Sequence, residues 1–318
     1  MTRPFVSVVV PVYNAKSTIK LCIEALLAQD YPRPQMEIII VDNNSKDNTA
    51  QLVSAYPEAK LLYETAIQGS YAARNKGISE ARGEIVAFTD SDCVADPAWV
   101  TRLVESFADP KILGVGGQFK MAEPTNMIEK MLAETSSLQG NYQEESGLFL
   151  PPIFTGNTAY RKQVLDELGG FDSLLFTGGD VDLAWRLQHH HGNCVCYNPA
   201  AVTYYHHRTN LKEMKRQSRR YGIGEVYIDA MYHGYPGYPR RLRYHVVRIA
   251  SQIWALAVYL RAFLYRLLMY PFRRDRYYLY KPVLLFIREA ANINGKIQGL
   301  RATRFLRRSP GNPALRSW

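Results

Sequence analysis

Residues 5–11, FVSVVVP, form an apolar run interrupted only by Ser7. A strand of that composition is buried on both faces. It therefore calls for a sheet covered on both sides, built from parallel strands joined by helices. The next hundred residues repeat the demand. Residues 37–41 (EIIIV), 60–63 (KLLY) and 84–88 (EIVAF) predict three more strands. Between them Ile19, Cys22, Ile23, Leu26 and Leu27 recur at helical spacing after Ser17. Residues 70–81 predict a helix ended by Gly83, and Asp96-Pro97 opens another over residues 99–107. Strands alternating with helices place the chain in the α/β class, with a mostly parallel sheet and helices on both faces.

The charge is unevenly spread, and this is the clearest domain signal. Residues 1–200 carry 16 Lys and Arg against 24 Asp and Glu; residues 201–318 carry 23 against 5. An acidic first part precedes a basic, aromatic-rich tail suited to an anionic partner. The four cysteines are too sparse for a disulfide framework, and Cys194 and Cys196 have no second pair with which to make a zinc site. They are read as reduced thiols of a cytosolic protein. The opening MTRPFVSVVVPVYN has too short an apolar run for a signal peptide, so the domain is expected to begin at once.

Two of the buried strands run into carboxylates. Asp42 follows EIIIV, and Asp90-Ser91-Asp92 follows EIVAF and Thr89. In open α/β sheets ligands sit outside the carboxyl ends of the strands, so these groups should face one crevice. Aspartate at a strand end is also an ordinary turn residue, the competing explanation for Asp42. Asp-x-Asp after a rigid strand presents hard oxygen donors suited to Mg²⁺ or Mn²⁺, which keep positions open for phosphate.

The segments VSVVVPVYNAKSTIKLCIEALLAQDYP, EIIIVDNNSKDNT, GSYAARNKGISEARGEIVAFTDSD and GNTAYRKQVLDELGGFD resemble, in order and spacing, family 2 of the nucleotide-sugar glycosyltransferases. The resemblance covers roughly residues 5–225. It implies the GT-A fold and a catalytic domain over 1–225, with its nucleotide-sugar half at about 1–120 and its acceptor half at about 121–225. It further implies that Pro11 and Tyr13 line the nucleotide pocket and that Asp42 bonds the base, usually uracil. Arg74 would lie near the phosphates. Asp90 would touch the ribose or lie beside the metal, and Asp92 would ligate a Mn²⁺ or Mg²⁺ cofactor that holds the diphosphate.

In GGFDSLLFTGGDVDLAWRLQHHHG, Asp180 and Asp182 open a helix with Leu183, Trp185 and Leu187 on its apolar face. Carboxylates in a first turn are also good helix starters. The family shows Glu-Asp here with the Asp as general base; this chain has Gly179-Asp180, so the base is kept and its acidic partner is missing. An inverting displacement needs such a carboxylate to take the acceptor hydroxyl's proton. Of His206 and His207, either of which suits the family's histidine near the metal, His206 is preferred. Gln217-Ser218-Arg219-Arg220-Tyr221 resembles the Gln-x-x-Arg-Trp pattern of processive relatives. Arg220 would clamp phosphate and Tyr221 would stack on an acceptor sugar, although a basic helix face explains the arginines equally. Residues 140–153 are expected to form an acceptor-side loop. Asn157 and Trp185 are assigned to the acceptor side. His189-His190-His191 reads as a solvated helix end.

Residues 249–272 are apolar and long enough to span a bilayer, but Arg261 and Arg266 interrupt them, each costing about 2.5–3.5 kcal/mol near a membrane centre. The expectation is a helix lying on the membrane surface, with packing on protein as the alternative. Residues 226–318 thus form a basic helical tail, with 240–318 meeting anionic headgroups and the last ten or so residues disordered. The whole reading is a metal-dependent, inverting glycosyltransferase at the inner face of the cell membrane. It would move a sugar, UDP-linked by preference, to a hydroxyl of a glycan or lipid-linked acceptor. A nucleotidyltransferase is disfavoured because PVYNAKSTI lacks a glycine-rich phosphate loop. A nucleic-acid binder would explain the tail but not the ordered aspartates. A catalytically degenerate relative is kept open by Gly179.

Overall fold

Val8, Val9 and Val10 are wholly shielded from solvent because their strand runs through the middle of an eight-stranded sheet. The computed structural model describes residues 3–136, 149–175, 177–233, 235, 237, 238 and 242–306. The strands are β1 (Val6–Val12), β2 (Met36–Asp42), β3 (Ala59–Tyr63), β4 (Ile85–Thr89), β5 (Cys93–Ala95), β6 (Gly114–Met121), β7 (Asn157–Arg161) and β8 (Val195–Tyr205). The helices are α1 (Ile19–Leu27), α2 (Thr49–Val53), α3 (Ser70–Glu80), α4 (Trp99–Glu105), α5 (Met127–Glu134), α6 (Lys162–Glu167), α7 (Gly179–His191), α8 (Leu211–Met231), α9 (Leu242–Arg273) and α10 (Arg276–Leu306). They form two compact units: Met1–Ala122 with Ser137–His206, and Glu123–Ser136 with His207–Trp318.

The first unit holds the sheet, in the order β3-β2-β1-β4-β7-β6-β8-β5. β1 pairs in parallel with β2 and β4, and β2 with β3. Val6, Val8, Val10 and Val12 face a layer that includes Ile19, Cys22, Ile23 and Leu26 of α1 and Trp99, Val100 and Leu103 of α4. Val9 faces the other way, against α3, where a Cβ at Gly77 would collide with its side chain. A strand with helices on both sides must be apolar at every position, as FVSVVVP is. Each such Val or Ile contributes about 1.5–3 kcal/mol by leaving water.

Beyond β4 the sheet departs from the parallel pattern. β7 enters antiparallel between β4 and β6, β8 runs parallel to β6, and β5 pairs antiparallel with β8. The fold is the expected α/β architecture with a curled, mixed second half. The strand expected in FTGNTAYRK is β7. Neither β5, with three residues, nor β6, GVGGQFKM, carries an apolar strand pattern, and β6 shifts register between Gly117 and Gln118.

The second unit is helical. Asn126 caps α5 by accepting from the Ile128 and Glu129 amides, and Asn210 caps α8 by accepting from Glu213 N at 3.0 Å. Met131 and Leu132 of α5 pack with Met214 and Leu284. α10 lies hard against α8: side chains at Gly222 or Gly295 would strike the opposite backbone. The buried Lys296 joins Glu225 at 3.0 Å and Gln252 at 3.1 Å. α9 contains Tyr244–Arg273, a stretch long and apolar enough to cross a membrane, and Val246, Val247, Trp254, Leu268 and Phe272 are exposed along it. Residues 140–148 of the expected acceptor loop and the final twelve residues lie outside the described residues.

Candidate active site

The carboxyl ends of β1 and β2 are in register, Pro11 opposite Val41 and Val12 opposite Asp42. Pro11 is buried and Tyr13, just past the strand, is exposed. The loops that follow are laced together. Asn14 N donates to Ser45 Oγ at 2.9 Å, Lys46 N to Asn14 Oδ1 at 2.7 Å, and Ala15 N to Thr49 Oγ1 at 2.8 Å. Asn14 and Asn44 both take positive φ, which Asn tolerates better than most residues. Asp42 is buried and accepts from Ser45 N at 3.1 Å, so it shapes the turn at the carboxyl end of β2.

Asn43 is the organiser that the sequence reading passed over. Its amide donates to Glu64 O at 2.8 Å and Ile67 O at 2.9 Å, and its carbonyl accepts from Gly69 N at 2.6 Å. One side chain thereby ties the ends of β2 and β3 to the start of α3. An Asn beside Asp in a turn-rich stretch gives no sign of such distant partners.

Asp90 and Asp92 differ in setting. Asp90 is half-exposed and ion-paired with Arg74 of α3. The Arg74 guanidinium is buried, lying 5.6 Å from the Tyr71 ring and 5.9 Å from the Phe171 ring. Its Nε is buried without a partner among the described residues. Asp92 is buried at the entry to β5, where His206 N donates to Asp92 O at 2.9 Å. This is the next rung after Cys93↔Tyr205 of an antiparallel pair. That backbone bond holds Asp92 and His206 next to each other at the end of the β5–β8 pair.

Among the described residues no group of three or more His, Cys, Asp or Glu is arranged to hold a metal. A Mn²⁺ or Mg²⁺ ion here would take its protein donors from Asp92 and His206. Such cations take one or two protein donors and fill the rest of their sphere with phosphate oxygens and water. Burial, with the Asp92 and Asp90 charges, pushes the neighbouring Cys22 and Cys93 thiols up, and soft sulfur donors suit Mn²⁺ or Mg²⁺ less well than oxygen.

Asp180 sits in the first turn of α7, whose N-cap Gly178 is left-handed with φ 82° and provides no side-chain cap. Asp180 Oδ1 accepts from Val181 N at 3.0 Å and from Tyr71 Oη at 3.3 Å. Burial raises the Asp180 carboxyl above its ordinary range; Arg74 opposes the rise and Asp90 adds to it. A single cluster therefore links Asp90, Arg74, Tyr71 and Asp180. Asp182 is different: it is buried against Arg186 at 2.9 Å, and Arg186 also donates to Leu168 O and Gly170 O, an anchor for the chain entering α7.

Asn157 and Trp185, both expected on the acceptor side, are packed in the interior. Asn157 is buried, accepting from Trp99 Nε1 at 2.7 Å and donating to Gln118 O and Ala201 O at 2.9 Å each. Its polar capacity goes to joining β7, β6, β8 and α4. Trp185 is 1% exposed, its Nε1 donates to Leu150 O at 2.9 Å, and Phe149 meets its ring edge-on. Neither side chain is open to an acceptor; an apolar helix face and a strand end mark packing positions as readily as binding ones. Arg220 and Tyr221 belong to α8 in the second unit, where the exposed Tyr221 accepts from Gln217 Nε2 at 3.1 Å. His207 also belongs to that unit, and burial lowers its pKa to about 4. His189, His190 and His191 are exposed at the end of α7.

The family model for Glycosyl transferase family 2 matches residues 7–169. Glycosyltransferase AglE of Haloferax volcanii is 32% identical over 239 residues, covering 71% of this chain and 75% of the relative. A Methanococcus voltae protein, dolichyl N-acetyl-alpha-D-glucosaminyl phosphate 3-beta-D-2,3-diacetamido-2,3-dideoxy-beta-D-glucuronosyltransferase, is 25% identical over 320 residues, 93% of this chain and 97% of that one. Other relatives are longer, and the chain spans about half their length. Among solved structures the mannosyltransferase PcManGT from Pyrobaculum calidifontis, in complex with GDP-Man and Mn²⁺, has a similar fold: TM-score 0.63 at 22% identity, over 94% of this chain and 88% of that one.

Proposed function

Because this chain belongs to glycosyl transferase family 2 and is a glycosyltransferase, we propose that it performs a metal-dependent, inverting transfer from a nucleotide diphosphate sugar to a hydroxyl of a lipid-linked glycan. The observation that carries this reading is the cluster in which buried Arg74 pairs with Asp90 beside Asp180, whose neighbour Tyr71 bonds it. It joins the end of β4 to the first turn of α7, so a leaving group held at one end can face a base at the other.

In this reading Pro11 and Tyr13 line the nucleotide pocket and Asp42 receives the base. Arg74 lies near the phosphates and Asp90 touches the ribose or stands beside the cation. Asp92 and His206 hold the divalent cation, which when bound neutralises the charge of the departing diphosphate. Asp180 takes the proton of the acceptor hydroxyl as that oxygen attacks the anomeric carbon from the face opposite the leaving group. Oδ1 is engaged by Tyr71 and Val181, and Oδ2 is assigned to the proton. A carboxyl raised by burial is the better base near neutrality. No covalent intermediate is needed.

The lipid-linked acceptor is supported by the dolichyl-linked substrate in the name of the Methanococcus relative and by the exposed apolar residues of α9. We assign residues 240–318 to the inner membrane surface, with Trp254, Leu268 and Phe272 meeting acyl chains and the basic residues meeting headgroups. Arg266 is already occupied, donating to Tyr278 O at 2.8 Å.

The test is titration of UDP, GDP and ADP into the protein with Mn²⁺ and with EDTA. Metal-dependent binding of one nucleotide is expected and names the base for a donor panel. Binding of none, or equal binding in EDTA, overturns the donor site as drawn.

A further inference from the structure

Gly179 is explained by what lies over it. A Cβ there would stand 2.8–3.0 Å from three atoms of the Tyr71 ring, closer than real Cβ atoms approach. The ring cannot retreat. It is buried, stacked on Phe171 with centroids 5.5 Å apart and planes 20° from parallel, and Phe171 is wedged edge-on against Phe88 of β4. Arg74 lies 5.6 Å from the Tyr71 ring centroid and 5.9 Å from that of Phe171. The hydroxyl of this fixed ring ends 3.3 Å from Asp180 Oδ1.

We propose that Tyr71 is the positioning residue for Asp180. Its ring occupies the space that a side chain at 179 would need, and its hydroxyl donates to Oδ1, turning Oδ2 toward the acceptor. The inference rests on Asp180 being the base. Tyr71 supplies from α3 an orientation that the neighbouring residue, a glycine, cannot supply. Burial keeps the phenol protonated, so it is a donor whenever Asp180 is ionised. Residues 71 and 179 are then a reciprocal pair. An aromatic at 71 requires glycine at 179, and a small residue at 71 makes room for a side chain at 179.

The experiment compares the full-length wild type, Tyr71→Phe, Gly179→Glu, Tyr71→Ala, Tyr71→Ala/Gly179→Glu and Asp180→Asn. It measures kcat, donor Kd by calorimetry and thermal denaturation. Tyr71→Phe keeps the ring and its stacking and removes only the hydroxyl. It is expected to lower kcat about tenfold, with donor Kd and melting temperature unchanged. Tyr71→Ala/Gly179→Glu is expected to exceed both of its parents in kcat. Wild-type kcat in Tyr71→Phe, or a loss shared equally by donor binding, overturns the positioning role. Should Gly179→Glu fail to fold, that agrees with the clash, and Tyr71→Phe alone decides. Full turnover by Asp180→Asn strikes the base reading itself, a different failure from a silent Tyr71→Phe.

Discussion

Arg74 is 3% exposed and its partner Asp90 is 36% exposed, so the ion pair between them has a dry end and a wet end. The two ends respond differently to loss of the partner. A bared Asp90 can take up water. A bared Arg74 stays in the interior beside Tyr71 and Phe171 with a buried Nε that no described residue satisfies.

Asp90→Asn is therefore expected to cost more stability than Arg74→Met, because an unpaired buried charge is the costlier remainder. Urea midpoints of the two variants decide it. Equal midpoints, or the reverse order, would mean that Asp180 is an adequate counter-ion for Arg74.

Asp92→Ala should abolish the Mn²⁺-dependent part of nucleotide binding, and His206→Ala should weaken it, while His207→Ala leaves it alone. The register that sets His206 opposite Asp92 predicts this order. Calorimetry with and without metal reads it; a His207 effect as large as that of His206 would reassign the ligand.

Asp180→Asn should leave donor affinity nearly intact and reduce transfer by about 10²-fold or more. The pH dependence has a definite sign. The Asp180 pKa is raised above 3.8 by burial, against the opposing charge of Arg74 and with the help of Asp90, and Tyr71 and Tyr160 face it as neutral phenols. Activity should rise with pH through an acid limb that lies above the ordinary Asp value. The same shift means that the folded protein holds this proton more tightly than the unfolded chain. Its contribution to stability is thus fully present below the unfolded value and is lost as pH rises through the folded one. A kcat/KM profile flat down to pH 4 would remove Asp180 as the base.

Gly295→Ala should destabilise the helical unit by about 1–3 kcal/mol or more, because its Cβ would meet the Arg219 carbonyl and helix backbones yield little. An unchanged melting temperature would show that α8 and α10 pack less closely. The same packing argues against testing the tail by truncation, since removing α10 would uncover α8.

Membrane binding is better tested on α9 by point changes. Trp254→Glu and Leu268→Glu alter side chains 72% and 74% exposed, so folding should be unaffected while co-sedimentation with anionic vesicles falls several-fold. Unchanged sedimentation of the double variant would overturn the assignment of this helix to the membrane surface.

The amino-acid sequence determined the parts of this protein whose cause is local. Strands β1, β2 and β4 were legible because a strand covered on both faces must be apolar throughout, and α1 because its buried residues recur every three to four positions. The carboxylates at the end of β2 and just past β4 were legible because they end such runs. Strands β5 and β6 were not, being short or glycine-rich, and stable only because β8 and β7 lie alongside. Asn157 and Trp185 look alike in sequence whether they bind a ligand or brace a core. Only tertiary structure shows how they are packed, by giving the Asn157 side chain partners on two other strands and a helix. It also decided which distant groups meet: Arg74 with Asp90, His206 across from Asp92, and Tyr71 over Gly179 against Asp180. Those meetings follow from strand register and helix packing, which depend on the whole sheet closing, and no local pattern of residues encodes them.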